Sequence, residues 1–249
     1  MGLFSKIFAT DKLSQPVYLA AIGVDMHSHL IPGIDDGCKT IEQSVELIRQ
    51  MSELGYSKLI TTPHVQGEVY VNTPEIILAG LDNLRLEVEK AGIKIKLDAA
   101  AEYLLDDRFE EKLKTGTLLT FGKKFILVEL SYFSPHPRMK ELIFNLQLEG
   151  FQVILAHPER YSYWFTKFNK FEELKDRGIF FQLNTNSLSG YYDQAVKKTA
   201  EKFIDAQMYD FIGTDLHNES YMQGLIKAQY EKSLDKALSS GKIKNQSLM

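Results

Sequence analysis

Five of the chain's six histidines stand just beyond apolar runs short enough to be β-strands, and acidic residues stand beside them. His27 and His29 follow residues 17–24, His64 follows 58–62, His157 follows 152–156, and Asp215 with His217 follows 209–213. Glu102 and Glu129 close two further runs of the same kind. In a parallel α/β fold the C-terminal ends of the strands converge on one face, and active sites are built there. Imidazoles and carboxylates delivered repeatedly to that face point to a multi-metal hydrolytic centre.

The intervening stretches read as helices. Thr40 is placed to cap a helix whose apolar positions Ile41, Val45, Ile48, Met51 and Leu54 share one face, and Gly55 ends it. A second helix begins near Pro74, runs through Ile77, Leu81, Leu84 and Val88, and stops at Gly92. Strand 93–101, a short charged helix 106–114 and strand 125–130 follow. The second half repeats the cycle. A helix through Met139, Leu142 and Leu146, strand 152–156, helix 170–177, strand 179–184, helix 193–206 and strand 209–213 lead to a final helix over 221–238. A polar tail from Ser239 is expected to fray. Seven strands separated mostly by helices predict a parallel sheet. Candidate ligands at nearly every strand end favour closure into a barrel over an open sheet, which gathers its ligand at one crevice. The expected organisation is a leader over residues 1–16 and one α/β barrel domain over 17–249.

Composition narrows the function. A net charge of −4 with scattered basic residues gives no footprint for nucleic acid. The lone Cys38 excludes an intramolecular disulfide and fits a reducing compartment, so the cytoplasm is expected. No apolar run approaches the roughly 20 residues of a membrane-spanning helix. The early apolar run lacks a signal-peptide cleavage site, and Lys6 occupies the place where a myristoylation signal needs Ser or Thr. Leu3, Phe4, Ile7 and Phe8 leave a membrane-touching leader as a minor reading.

His27 and His29 are the strongest local pair. Two apart in an extended segment, they point the same way and can grip one ion. Asp25 shares their parity and is expected to orient an imidazole through its second ring nitrogen. One of Asp35 and Asp36 is expected to reach a metal, the other to shape the turn before Gly37. Glu102 and Glu129 end apolar runs, where an unpaired carboxylate is costly and a cation offsets the cost. Asp215 and His217 repeat the two-apart geometry. Arg160, three residues past His157, is read as a phosphate anchor, because a guanidinium grips two phosphoryl oxygens at once. A surface ion pair is its alternative. His136, between two prolines, is expected to bind nothing.

Taken in order, several motifs resemble PHP-domain phosphatases, and more closely the bacterial capsule-locus tyrosine-protein phosphatases of that superfamily. They are His-x-His at 27–29, Asp-Asp-Gly at 35–37, Thr-Pro-His at 62–64, Ala-Glu at 101–102, Val-Glu-Leu at 128–130, Ala-His-Pro-Glu-Arg at 156–160 and Asp-Leu-His at 215–217. The resemblance covers about residues 24–218. It implies a distorted (β/α)7 barrel with two or three ions, often manganese, with iron, zinc or magnesium as alternatives. It implies His27, His29, Asp36, His64, Glu102, Glu129, His157, Asp215 and His217 as ligands. Glu102 would bridge two ions in a catalytic role, and Arg160 would hold phosphate. The implied substrate is a phosphotyrosine protein, such as a bacterial tyrosine kinase of polysaccharide export.

The chain departs from that pattern after its last motif. Relatives often carry a second phosphate-binding arginine there, whereas this chain reads Asn218-Glu219-Ser220-Tyr221-Met222. Lys167 and Lys170 are candidate substitutes, in an aromatic-rich loop that also reads as packed structure. A cysteine phosphatase is excluded, since Ser44 stands where the arginine six places after Cys38 is needed. Two alternatives remain: a PHP-type hydrolase of a small phosphate ester, and a metal-stabilised binding protein of polysaccharide export without catalysis.

Overall fold

Several helices start where the sequence supplies a capping side chain. The computed structural model, which describes residues 12–249, places Thr40 at the head of α1 (Ile41–Glu53), its side chain accepting from the Gln43 amide. Thr73 does the same for α2 (Pro74–Lys90), with Pro74 in the first turn where its missing N–H costs nothing. The leader residues Leu3, Phe4, Ile7 and Phe8 lie outside the described residues.

The remaining elements alternate along the chain: β1 (Val24–Asp25), β2 (Lys58–Thr61), β3 (His64–Val65), β4 (Lys96–Ala99), β5 (Glu102–Leu104), α3 (Phe109–Thr115), β6 (Phe125–Glu129), α4 (Met139–Leu148), β7 (Gln152–Ala156), α5 (Asn169–Asp176), β8 (Phe180–Asn184), α6 (Thr185–Leu188), α7 (Gln194–Asp205), β9 (Phe211–Gly213), α8 (Glu219–Ala228) and α9 (Lys232–Ser239). Every strand pairing is parallel, in an α/β fold of two sheets ordered β1-β2-β4 and β3-β5-β6-β7-β8-β9.

Among the described residues nine strands stand where seven are expected, because two of the expected strands are interrupted. Pro63 lacks an N–H and breaks the ladder between β2 and β3. The facing chain breaks at Ala100 and Ala101, yet Ala100 N donates to Thr61 O at 2.9 Å and Glu102 N to Pro63 O at 3.1 Å. The first and last strands also meet beyond their formal ends. Asp215 N donates to His27 O at 2.8 Å and His29 N to Leu216 O at 2.9 Å.

Three expectations need correction. Residues 17–24 do not form a strand: Leu19–Ala21 is a 3-10 turn that buries Leu19 and Ile22 against the helix layer, leaving the two-residue β1. The expected final helix is broken between α8 and α9. There Gln229 O and Tyr230 O accept from Val17 N and Leu13 N, both at 2.8 Å, so the incoming segment takes carbonyls a continuous helix would use internally. The tail does not fray. Fully buried Asn245 donates to Val24 O (2.9 Å) and Ile212 O (2.6 Å) and accepts from Ile212 N (3.0 Å). Its carboxamide thus stands in for a strand between β1 and β9, satisfying backbone groups that would otherwise be buried alone.

Apolar helix faces cover the outer side of the sheets. In α2, Ile77, Leu81, Leu84 and Val88 are buried at helical spacing, each such side chain contributing ~1.5–3 kcal/mol relative to exposure.

Candidate metal centre

The two-apart spacing of the first motif brings His27 Nε2 and His29 Nε2 to 3.4 Å of each other, both rings fully buried. Opposite them, Glu102 opens β5 with its carboxylate also fully buried. Its Oε2 lies 3.1 Å from His27 Nε2, 3.4 Å from His29 Nε2 and 3.1 Å from His64 Nδ1. Its Oε1 accepts from His157 Nε2 at 2.9 Å. Asp215 Oδ1 completes the floor, 3.3 Å from His27 Nε2 and 3.4 Å from His29 Nε2.

Three groups of donors emerge, each with its atoms inside 4.8 Å: His27, His29, Glu102 and Asp215; His64, Glu102 and Glu129; and His29, Asp36, His64 and His217. Glu102, His29 and His64 each belong to two groups. Of the nine expected ligands eight fall in these groups, and His157 joins them through Glu102. Asp36 is the turn acid that reaches in, its Oδ1 standing 3.5 Å from both His64 Nε2 and His217 Nε2. His136 pairs instead with Asp107 at 2.9 Å, outside these groups.

The electrostatics are those of charges that need a cation. Burial would raise the Glu102 carboxyl, but the His27 and His64 imidazoles outweigh it and hold it well below the carboxylate range. Burial likewise opposes charge on His27, yet the carboxylates of Glu102 and Asp215 lift it to about 9. Protons and metal ions compete for such donors. Buried Glu102 Oε2 and His157 Nδ1 have no hydrogen-bond partner, and a polar atom so placed costs free energy unless something binds it. The donors are hard carboxylates and borderline imidazoles without thiolate, which suits a divalent cation such as Mn²⁺, Fe²⁺ or Zn²⁺. The residues fit.

The imidazoles are held from behind, leaving Nε2 of His27, His29 and His217 toward the donors. His27 Nδ1 meets Gln182 Oε1 at 2.8 Å, His29 Nδ1 meets Asp35 Oδ2 at 2.8 Å, and His217 Nδ1 meets Asp215 O at 2.7 Å. Asp25 departs from expectation. Burial pushes it up to about 6, and its oxygens accept from Thr214 N and Oγ1, both at 2.9 Å, tying β1 to the end of β9. Asp35 performs the orienting role instead. It also accepts from Gly37 N and His64 N. Gly37 leaves no alternative residue, since a Cβ there would stand 2.2 Å from His29 O.

Gln182 and Asn184 are site residues that the sequence reading missed. Asn184 Nδ2 donates to Asp215 Oδ2 at 2.8 Å, and Gln182 Nε2 donates to Asn184 Oδ1 at 2.8 Å. Their signal was present: two polar residues two apart at the end of an apolar run, in the same register as the strand-end acids. Two of the four described non-glycine residues with left-handed backbone lie here. His157 and Asp215 have φ of 33° and 53°, a left-handed region that non-glycine residues enter at a cost of order 1–3 kcal/mol, chiefly at functional sites.

Above the floor opens a cavity of about 370 Å³ that Arg160 lines. Arg160 NH1 donates to Asp215 Oδ2 at 3.0 Å, and its guanidinium lies between Tyr132 (4.7 Å) and Tyr192 (4.2 Å). Among the described residues, no lysine and no second arginine lines this cavity. Lys170 is turned to Glu173 at 2.5 Å, and the aromatic loop is packed structure, with Tyr161 fully buried between Leu130 N and Ala156 O. Tyr221 occupies the region of the missing arginine and stacks on His217 at 4.7 Å.

A parallel α/β fold with three clusters of imidazole and carboxylate, buried except for Asp36, under an arginine-lined cavity defines a metal-dependent hydrolytic centre. Residues 23–243 match the family of capsular polysaccharide synthesis, CpsB/CapC. The chain belongs to that family. It is 28% identical to the tyrosine-protein phosphatase YwqE of Bacillus subtilis over 196 residues, 78% of this chain and 77% of that protein. To the tyrosine-protein phosphatase CpsB of Streptococcus agalactiae it is 26% identical over 201 residues, 78% of this chain and 83% of that protein. Among solved structures it superposes with a TM-score of 0.78 and 26% identity, over 88% of each chain, on one from a study of YwqE and Streptococcus pneumoniae CpsB as metal-dependent tyrosine phosphatases.

Proposed function

We propose that this chain removes phosphate from protein phosphotyrosine at the buried centre, with manganese as the working ion and a tyrosine kinase of capsule or exopolysaccharide export as its partner. Relatives in the family are named tyrosine-protein phosphatases, which supports that activity here; the residue roles, the ion and the partner are the finer parts of the proposal. The observation that carries it is Glu102, one carboxylate shared by two donor groups at the base of an arginine-lined cavity.

His27, His29, Glu102 and Asp215 would hold one ion, His64, Glu102 and Glu129 a second, and Asp36 with His217 a third, His157 steadying Glu102. Bound ions would supply Lewis acidity and an activated water. The chain's own side chains do the rest. Arg160 spends one N–H on Asp215, which leaves further donors of its fork for phosphoryl oxygens. Gln182, Asp35 and Asn184 fix the imidazoles and Asp215 in place, so that little reorganisation remains when substrate arrives. A tyrosine phenolate, with a reference pKa near 10, departs without a strong general acid.

We also read the strands as one distorted seven-stranded barrel in a single domain over 17–249. Supporting this are the two interrupted strands, each continuing its own line, and the backbone hydrogen bonds from Asp215 and His29 that join first and last. Among the described residues no helix is long and apolar enough to cross a membrane, and the buried free thiol of Cys38 suits the reducing cytoplasm, where we place the protein.

The test is turnover by Mn²⁺-loaded protein of a phosphotyrosine peptide, the matching phosphoserine peptide and small phosphate esters. Preference for the tyrosine peptide is expected. Preference for the small esters would replace the proposal with a small-molecule phosphatase, and no turnover of any would make the chain a binding protein.

A further inference from the structure

Three tyrosines from three separate segments wall the cavity, and each lies flat against a different imidazole of the centre. Tyr70 ends the tight turn 66–70 and stacks on His64, with centroids 5.6 Å apart and planes 14° from parallel. Tyr132, just past β6, stacks on His157 at 5.8 Å and 25°. Tyr221, in the first turn of α8, stacks on His217 at 4.7 Å and 29°. Phe133 and Val69 continue the wall outward, 94% and 73% exposed, large apolar side chains with almost no packing of their own. The cavity therefore has a floor of charge and a collar of rings.

We propose, resting on the phosphatase reading, that this collar is a subsite for the aromatic ring of the substrate, with the floor taking only the phosphoryl group. A ligand that fills both must carry its charge at the far end of a flat apolar stem, which is the shape of an aryl phosphate. Stacked and edge-on ring contacts on Tyr70, Tyr132 and Phe133 then select for the stem. A serine-borne phosphate hangs from one methylene. To reach the floor it would draw peptide amides in among the rings, where they lose water and gain no partner. Tyr132 also lies under the Arg160 guanidinium at 4.7 Å, so the ring wall and the phosphate grip share a side chain. Phe133 stacks on no imidazole of the centre and does not lie under Arg160, unlike the tyrosines, and is the cleaner position to change.

The test measures binding apart from chemistry. Calorimetry with phenylphosphonate and methylphosphonate on Mn²⁺-loaded protein gives an aryl-over-methyl preference, read for wild type, Phe133→Ala and Tyr132→Leu. Steady-state kinetics on matched phosphotyrosine and phosphoserine peptides accompany it. Phe133→Ala is expected to lower the preference roughly three- to tenfold, the size of a lost ring contact, through KM rather than kcat and with unchanged metal content. Tyr132→Leu should lower it further. A wild-type protein that binds both phosphonates alike overturns the collar, as does a preference unchanged in both variants. Equal weakening of both ligands together with metal loss would also overturn it, making the tyrosines supports for the imidazoles alone. If no ester is turned over yet phenylphosphonate is still preferred and the preference still falls in Phe133→Ala, the phosphatase reading fails while the collar stands.

Discussion

Where β6, β8 and β9 begin, Phe125 meets Phe180 and Phe211 nearly edge-on, at 5.4 Å and 85° and at 5.4 Å and 78°. Where the same strands end, Glu129, Asn184 and Asp215 stand with the imidazoles, all of them buried. The first end, with Val24, Leu127, Ile154 and Leu248, is complete in itself. Every ring there has an apolar neighbour and no atom needs anything from outside. The second end is a set of charges that balance only through protons or cations. One sheet thus separates the work of staying folded from the work of binding, as parallel strands with loops at one face permit. Changes at the two ends should therefore fail in different ways.

The largest effect is expected at the apolar end. Phe211→Ala should cost ~3–5 kcal/mol of stability, a cavity with no water-compatible lining. Thermal unfolding should show the loss, while whatever protein remains folded keeps its metal stoichiometry. Parallel loss of metal in the folded fraction would mean that the two ends are not separate. At the polar end Glu102→Gln should do the reverse. It keeps the shape but removes the shared charge, so turnover should fall upwards of about a hundredfold, past the roughly 10–100-fold seen for groups that merely orient ligands. Metal by elemental analysis should fall with it, and near-wild-type metal and activity would make Glu102 a structural residue.

Arg160→Ala comes next. Loss of a charge-assisted contact costs about 1.5–3 kcal/mol, or roughly 10- to 150-fold in turnover of every phosphate ester, at unchanged metal content. Arg160→Lys should recover only part of it. Unchanged catalytic efficiency would leave Arg160 as a partner of Asp215 alone. The smallest effect concerns Asp210, which directly precedes β9 at the apolar end. It accepts from Phe181 N (2.9 Å), Lys175 (2.5 Å) and Lys244 (2.9 Å). Burial would raise its carboxyl, but these contacts hold it below the ordinary 3.8. A carboxyl lowered in the folded state contributes stability that is whole above 3.8 and lost as pH falls through the folded value. Unfolding followed down from pH 5 should lose that increment in wild type and show a flatter acid limb in Asp210→Asn; identical limbs would mean that Asp210 adds no such increment.

Much of both ends can be read along the chain because it is local. Helix faces, the cap at Thr40, the start at Pro74 and the short apolar runs depend on neighbours within a few residues, so α1, α2 and β7 lie close to where periodicity puts them. The strand-end ligands are legible for the same reason: a charged residue closing a buried run is anomalous in its own surroundings. What misleads is apolarity with two uses. Residues 17–24 are apolar enough for a strand, yet Leu19 and Ile22 are claimed by the helix layer. The polar tail likewise looks unanchored until Asn245 finds the open backbone of Val24 and Ile212.

The sequence by itself determined which elements form and which side chains arrive at their ends, because backbone propensity and two- or 3.6-residue periodicity act over a single turn or strand. Only the tertiary structure decided who holds whom. Asp35 rather than Asp25 steadies an imidazole, Gln182 reaches His27 across 155 residues, and three tyrosines stack on three histidines. Those partnerships depend on distances between segments remote in the chain, and short-range spacing carries no information about such distances until the sheets bring the segments together.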